Sequence, residues 1–134
     1  MKKSIIGLSL SFVSLWAEPA YSDIYASADK AVFSRKPIVF VVMSSTCSHC
    51  YSYWNRTLSD PDIETLLDNN FELAVSVVDQ GGKIPSNLPF KGQLPTTYIL
   101  SADAKLLSNP IEGDIDKTKL YSLLYSLNEA RRSE

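Results

Sequence analysis

Histidine occurs once in this 134-residue chain, cysteine twice, and no cluster of basic residues appears anywhere. With three Cys and His side chains in all, a closed tetrahedral zinc site lacks its fourth ligand of that type. Thirteen Lys and Arg stand against fifteen Asp and Glu, which excludes the electrostatic footprint of a nucleic-acid binder. The apolar stretch at the start, Ile5 to Ala17, is broken by Gly and Ser and falls short of the ~20 residues a helix needs to span a bilayer. What remains is a chain of one-domain length with 45% hydrophobic residues, the composition of a globular α/β or similar domain.

The N-terminus reads as an export address. Lys2 and Lys3 provide the positive region, Ile5 to Ala17 the apolar region, and Ala20-Tyr21-Ser22 offers small residues at the −3 and −1 positions of a cleavage site. The spacing predicts a cut after Ser22, so residues 1–22 form a signal peptide and residues 23–134 the domain. An uncleaved anchor is the competing reading, and no cysteine lies near the cut to accept a lipid. Export places the product in a compartment where disulfides persist, and the dilysine start favours a periplasm.

Both cysteines and the histidine fall within Cys47-Ser48-His49-Cys50. Lys36-Pro37 precedes a run, Ile38 to Met43, that is continuously apolar and β-branched, the pattern of a central strand covered on both faces. Ser44, Ser45 and Thr46 end that strand and offer hydroxyl caps for a helix starting at Cys47. A thiol at a strand-to-helix corner meets unpaired amides that stabilise its thiolate, which makes Cys47 the nucleophile and Cys50, one turn later, the resolving thiol. His49 is placed to stabilise the Cys47 thiolate and tune the pair, or else is an exposed helix residue without effect. Three other readings stay open: a static disulfide, a Cu(I) site of two thiolates and an imidazole, and a redox-inert interaction module.

The remaining elements alternate. A helix is expected over Asp23 to Ser34, with Ile24, Ala28, Ala31 and Val32 on its apolar face. The helix from Cys47 should reach about Leu58, and Asp60-Pro61 is a cap-and-start signal for a second one carrying Ile63, Leu66 and Leu67 up to Asn69-Asn70. Phe71 to Val78 reads as a strand with Asp79-Gln80-Gly81-Gly82 as its exit turn. Pro85, Pro89 and Gly92 make Lys83 to Leu94 an irregular loop. Thr96 to Leu100 is a strand, Ser101 to Lys105 a hairpin turn, and Leu106 to Ser108 the expected partner strand. Asp116 to Arg131 is a closing helix with Leu120, Leu123, Leu124 and Leu127 on one face.

The strand leading into CSHC, the Leu94-Pro95-Thr96 element opening a later strand, and the amphipathic final helix preceded by Gly113 together resemble the thioredoxin-like thiol:disulfide oxidoreductases. Within them, KPIVFVVMSSTCSHCYSYWNRTLSDPDI looks most like the C-terminal domain of DsbD and related small periplasmic thioredoxins. The resemblance implies a thioredoxin-like α/β fold with a central mixed sheet. It also implies a cis peptide at Leu94–Pro95 packed against the cysteines, with the Leu94 backbone free to pair with an extended substrate. Thr46, Ser48, Tyr51 and Trp54 are the expected rim contacts to substrate, whereas Tyr53 is expected in the core.

A periplasmic oxidoreductase of this kind, working more as reductant than oxidant, needs no cofactor beyond the Cys47/Cys50 pair and no metal. Its expected partners are cysteine-containing clients and a membrane-bound redox protein, the chain itself being a monomer. Two departures stand out: Val41 occupies the strand position where many relatives carry an acid, and Thr46 the position of an aromatic. The His before the second cysteine is similar to the dipeptides of DsbA and protein disulfide isomerase, which are oxidants.

Overall fold

A computed structural model describes residues 19–133. Most of the expected signal segment, residues 1–18, lies outside the described residues. The chain forms α1 (Ile24–Ser34), β1 (Ile38–Met43), α2 (Ser48–Ser52), which runs on as a π-helical turn (Tyr53–Leu58), and α3 (Pro61–Asn70). It continues through β2 (Glu72–Val77), β3 (Thr96–Leu100), β4 (Ile111–Glu112) and α4 (Lys117–Arg132). Among the described residues, no helix is long and apolar enough to cross a membrane.

The sheet is mixed, in the order β2-β1-β3-β4. β1 pairs with β2 in parallel and with β3 antiparallel, so Val41 lies between Val75 and Thr97. The parallel pair is closed by the crossover through α2 and α3, as parallel neighbours require. Every residue of β1 is buried, which explains its unbroken apolar run. Period-two alternation divides that run between two cores. Val39, Val41 and Met43 face α2, α3 and α4 together with Cys50, Tyr53, Ile63, Leu67 and Leu120. Ile38, Phe40 and Val42 face the other way, toward Ile24 and Ala31 of α1 and toward Leu88 and Tyr98. Each such fully buried side chain contributes roughly 1.5–3 kcal/mol.

Local signals set the helix ends. Asp23 caps α1 by accepting the Ala26 N–H at 2.8 Å, and Asp116 caps α4 by accepting that of Lys119 at 2.9 Å. On α1 the buried face carries Ile24, Ser27 and Ala31, while Val32 points to solvent, contrary to its expected place on the apolar side. Ser27 takes that inward position because its hydroxyl reaches the Leu73 carbonyl at 3.3 Å. The loop from Lys83 to Leu94 is irregular as expected, and it is pinned by Leu88 in the core and by the Tyr98 hydroxyl donating to the Pro89 carbonyl at 2.8 Å.

The last strand differs from the expectation. Leu106 makes a single bridge to Leu100, and the strand that pairs with β3 is Ile111–Glu112, opposite Thr97 and Thr96. The hairpin opens correctly, with the Leu107 N–H donating to Ile99, but Pro110 has no N–H to continue a ladder. The chain therefore leaves the sheet and rejoins it nearer the start of β3. The Leu58 end is also different: the second half of the expected helix is wound as a π turn over Tyr53–Leu58. Beyond β2, the expected strand end at Val78 and turn at Asp79 are a 3₁₀ turn, Val78–Gln80.

Asp60 joins the two halves of this face. It caps α3 by accepting the Asp62 and Ile63 N–H groups at 3.1 and 3.3 Å, and it accepts from the Lys117 ammonium of α4 at 2.9 Å. The Lys117 hydrogen bond, helped by those amides, holds the Asp60 carboxyl below the usual carboxylate range. A depressed folded pKa means that its contribution is complete above the ordinary value of about 4 and is lost as pH falls through the lower folded value. Asp60→Ala is therefore expected to lower stability by about 1 kcal/mol at pH 7. The gap from wild type should narrow in urea unfolding repeated below about pH 4.

Candidate functional site

The site is built where β1 ends. Ser44 to Thr46 turn the chain out of the sheet, and Cys47 stands as the N-cap of α2 with extended backbone. Cys47 and Cys50 are joined as a disulfide with Cα atoms 5.2 Å apart. Cys50 is buried in the core between β1 and α4, whereas Cys47 is half-buried at the rim. The Cys47 sulfur accepts the Cys50 amide N–H at 3.0 Å. That donor is already in place where negative charge would develop on Cys47 once the disulfide opens.

The approach to Cys47 is tied down from the far strand. Asp79, in the turn leaving β2, accepts the Ser45 amide at 2.9 Å and the Ser45 hydroxyl as well. The Ser45 hydroxyl bond, with the Ser45 amide next, holds the Asp79 carboxyl below its ordinary value. Within the turn, the Ser44 hydroxyl accepts the Thr46 N–H at 3.2 Å, and the Ser44 carbonyl accepts the Cys47 N–H at 3.4 Å. Three residues are thus fixed before Cys47 is reached.

The Leu94–Pro95 peptide is cis. Pro95 is buried, and its carbonyl accepts the Gly113 N–H at 2.7 Å, which ties the loop before β3 to the loop before α4. Gly113 holds φ +88°, a conformation that a side chain would strain. Leu94 and Cys47 both pack on the core cluster around Cys50. Among the described residues, the Leu94 N–H and C=O take no part in a hydrogen bond within the chain.

Thr46, Ser48, His49 and Tyr51 are all exposed around Cys47, and Trp54 is half-buried beside the same core. Tyr53 is buried, as expected. The Trp54 indole is shielded on one side by Tyr21, whose ring meets it edge-on at 5.5 Å between centroids. His49 turns its Nδ1 toward the Asp114 carboxylate at 3.7 Å, both side chains remaining largely in solvent. Among the described residues, no three His, Cys, Asp or Glu side chains gather at a spacing that could hold a metal.

Two residues of the site escaped sequence reasoning. Asp79 and Asp114 lie 32 and 67 positions beyond Cys47 in the chain, and no local spacing links either of them to it. Tyr53 is expected in the core, but not the partner of its hydroxyl, which shares a 2.8 Å hydrogen bond with the Thr97 hydroxyl. Thr97 is the cross-strand neighbour of Val41, so this buried hydroxyl pair stands beside Val41. Burial, offset in part by the Thr97 bond and reinforced by the Asp114 charge, pushes the Tyr53 phenol up to about 12. Tyr53 stays protonated at neutral pH and supplies a neutral hydrogen bond.

No family model matches the chain, and no curated protein matches it. Solved structures do. A thioredoxin from Thermus thermophilus is 19% identical, with a TM-score of 0.65 over 83% of this chain and 88% of its own. The fold is thioredoxin-like. A DsbH oxidoreductase superposes at a TM-score of 0.62 with 12% identity, over 84% of this chain and 86% of its own. The oxidised C-terminal domain of DsbD from Neisseria meningitidis superposes at 0.54 with 19% identity, over 81% and 97%. The resemblance read from CSHC and Leu94-Pro95 thus extends to the fold.

Asp79→Ala is expected to free the Ser44–Thr46 turn while leaving the two cores intact. Amide hydrogen exchange at Ser45 should become severalfold faster, with protection in β1 unchanged. Unchanged exchange at Ser45 would show that the turn holds without Asp79.

Proposed function

We propose that this chain is an exported thiol:disulfide oxidoreductase that exchanges its Cys47/Cys50 disulfide with cysteine-containing proteins, working as a reductant. The observation that carries the reading is the 3.0 Å contact from the Cys50 amide to the Cys47 sulfur, at the half-exposed end of a bonded pair. In the reduced protein the Cys47 thiolate attacks a client disulfide, forming a mixed disulfide and releasing one client thiolate. The Cys50 thiolate, its proton lost to solvent, then attacks the Cys47 sulfur and releases the second client thiolate. Client and protein exchange two electrons, and no other redox group enters the balance.

The surroundings suit a polypeptide substrate. The unpaired Leu94 backbone lies at the start of β3 and can accept an extended client segment by strand addition. Thr46, Ser48, Tyr51 and Trp54 provide a rim that is polar next to Cys47 and aromatic one turn away. A membrane-bound redox partner would return the electrons in the same way, through the same exposed sulfur. The signal-like N-terminus supports a periplasmic setting.

The direction of electron flow turns on the pair's reduction potential. A reductant should lie near −270 mV, roughly the thioredoxin value, and a value near −120 mV, roughly that of DsbA, would reverse the assignment. Cys47→Ser is expected to abolish disulfide exchange with a model protein substrate, and Cys50→Ser to accumulate the mixed disulfide, seen as a client adduct by mass. Full exchange activity in Cys47→Ser would sink the oxidoreductase reading.

A further inference from the structure

The export address and the sheet meet at Ser22. The Ser22 N–H donates to the Leu73 carbonyl at 3.1 Å, and its own carbonyl accepts the Val75 N–H at 3.0 Å. These bonds make a parallel bridge to Ala74 on the edge of β2 that β1 leaves free. The Ser22 hydroxyl accepts from the Lys30 ammonium at 2.7 Å. Tyr21 lies against Trp54, and Pro19 is buried.

A chain beginning at Asp23 would lose both backbone hydrogen bonds of Ser22, uncover the β2 edge and strip Tyr21 from Trp54. An exposed strand edge is also a template for unwanted pairing. The best match to small residues at −3 and −1, Ala20 and Ser22, therefore lies inside the fold.

We propose that export processing cleaves the Ala17–Glu18 bond, so that the mature chain starts at Glu18 and keeps residues 19–22 as a strap along β2. Ala17 ends the apolar stretch and supplies the small residue needed at −1. Leu15 stands at −3, a poorer fit to the peptidase than Ala20, but the product keeps the Tyr21–Trp54 contact and the Ser22 bridge to β2. Hydrolysis adds one water across the amide, giving a carboxylate on Ala17 and an α-amine on Glu18. The proposal rests on the export reading alone and is independent of the redox chemistry.

Intact-mass measurement of the full chain, expressed with export in a bacterial host and recovered from the periplasm, tests it directly. A product beginning at Glu18 is expected. Ala17→Phe should leave the precursor uncut, and Ser22→Leu should be processed like the wild type. Any other N-terminus, an uncut wild-type chain, or a block by Ser22→Leu overturns the proposal. Disulfide exchange by the recovered protein is a separate readout, so loss of the redox reading and loss of this one are told apart.

Discussion

The structure depends on burying β1 on both faces. Ile38 to Val42 have no exposed surface, and the strand is paired on both edges, so it can neither slip nor tilt without disturbing two cores at once. A one-residue slip would exchange Val39 and Val41 with Phe40 and Val42 and lose the stacking of Phe40 on Tyr98, whose rings are 5.5 Å apart. Because the strand is immovable, its end at Met43 is a fixed point. The cysteine pair begins four residues later, and the intervening turn is held by Ser44 and Asp79. The position of the Cys47 sulfur is thus set by hydrophobic burial and refined by a few hydrogen bonds.

The electrostatics of the site follow from that placement. The sulfur of Cys47 meets an amide donor, His49 and Asp114 face each other in solvent, and the core around Cys50 holds the Tyr53–Thr97 hydroxyl pair. A carboxylate at position 41 would have to lose its hydration between Val75 and Thr97, a costly burial without a charged partner. Val41 avoids that cost, and with it any proton acceptor in the strand. Asp114, in the loop before α4, brings its carboxylate to His49 outside the core.

Much of this was legible locally. The unbroken run Ile38 to Met43, the Asp60-Pro61 start and the capping aspartates are signals whose physics acts within a few residues, and they place β1, α3 and α4 within a residue or two of where they lie. The misplaced last strand is different in kind. Leu106 to Ser108 satisfies the local preference for a hairpin, but Pro110 interrupts the ladder, and only the pairing of Ile111 and Glu112 with Thr97 and Thr96 shows where the chain returns. The π turn over Tyr53–Leu58 likewise leaves no mark in hydrophobic spacing. It is held by contacts to other elements, among them the Thr57 hydroxyl on the Ile115 carbonyl at 3.0 Å.

By itself the sequence determined that a dithiol stands at the end of a buried strand and the start of a helix, because strand propensity, caps and cysteine spacing are all short-range. The same holds for the export-like N-terminus, whose charge and apolar length are read in order along the chain. The tertiary structure alone decided which distant groups serve that dithiol. It brought Asp79 to the turn before Cys47, Asp114 to His49, and Ser22 to the open edge of β2. Those pairings join residues tens of positions apart, and they exist only once two cores have closed around β1.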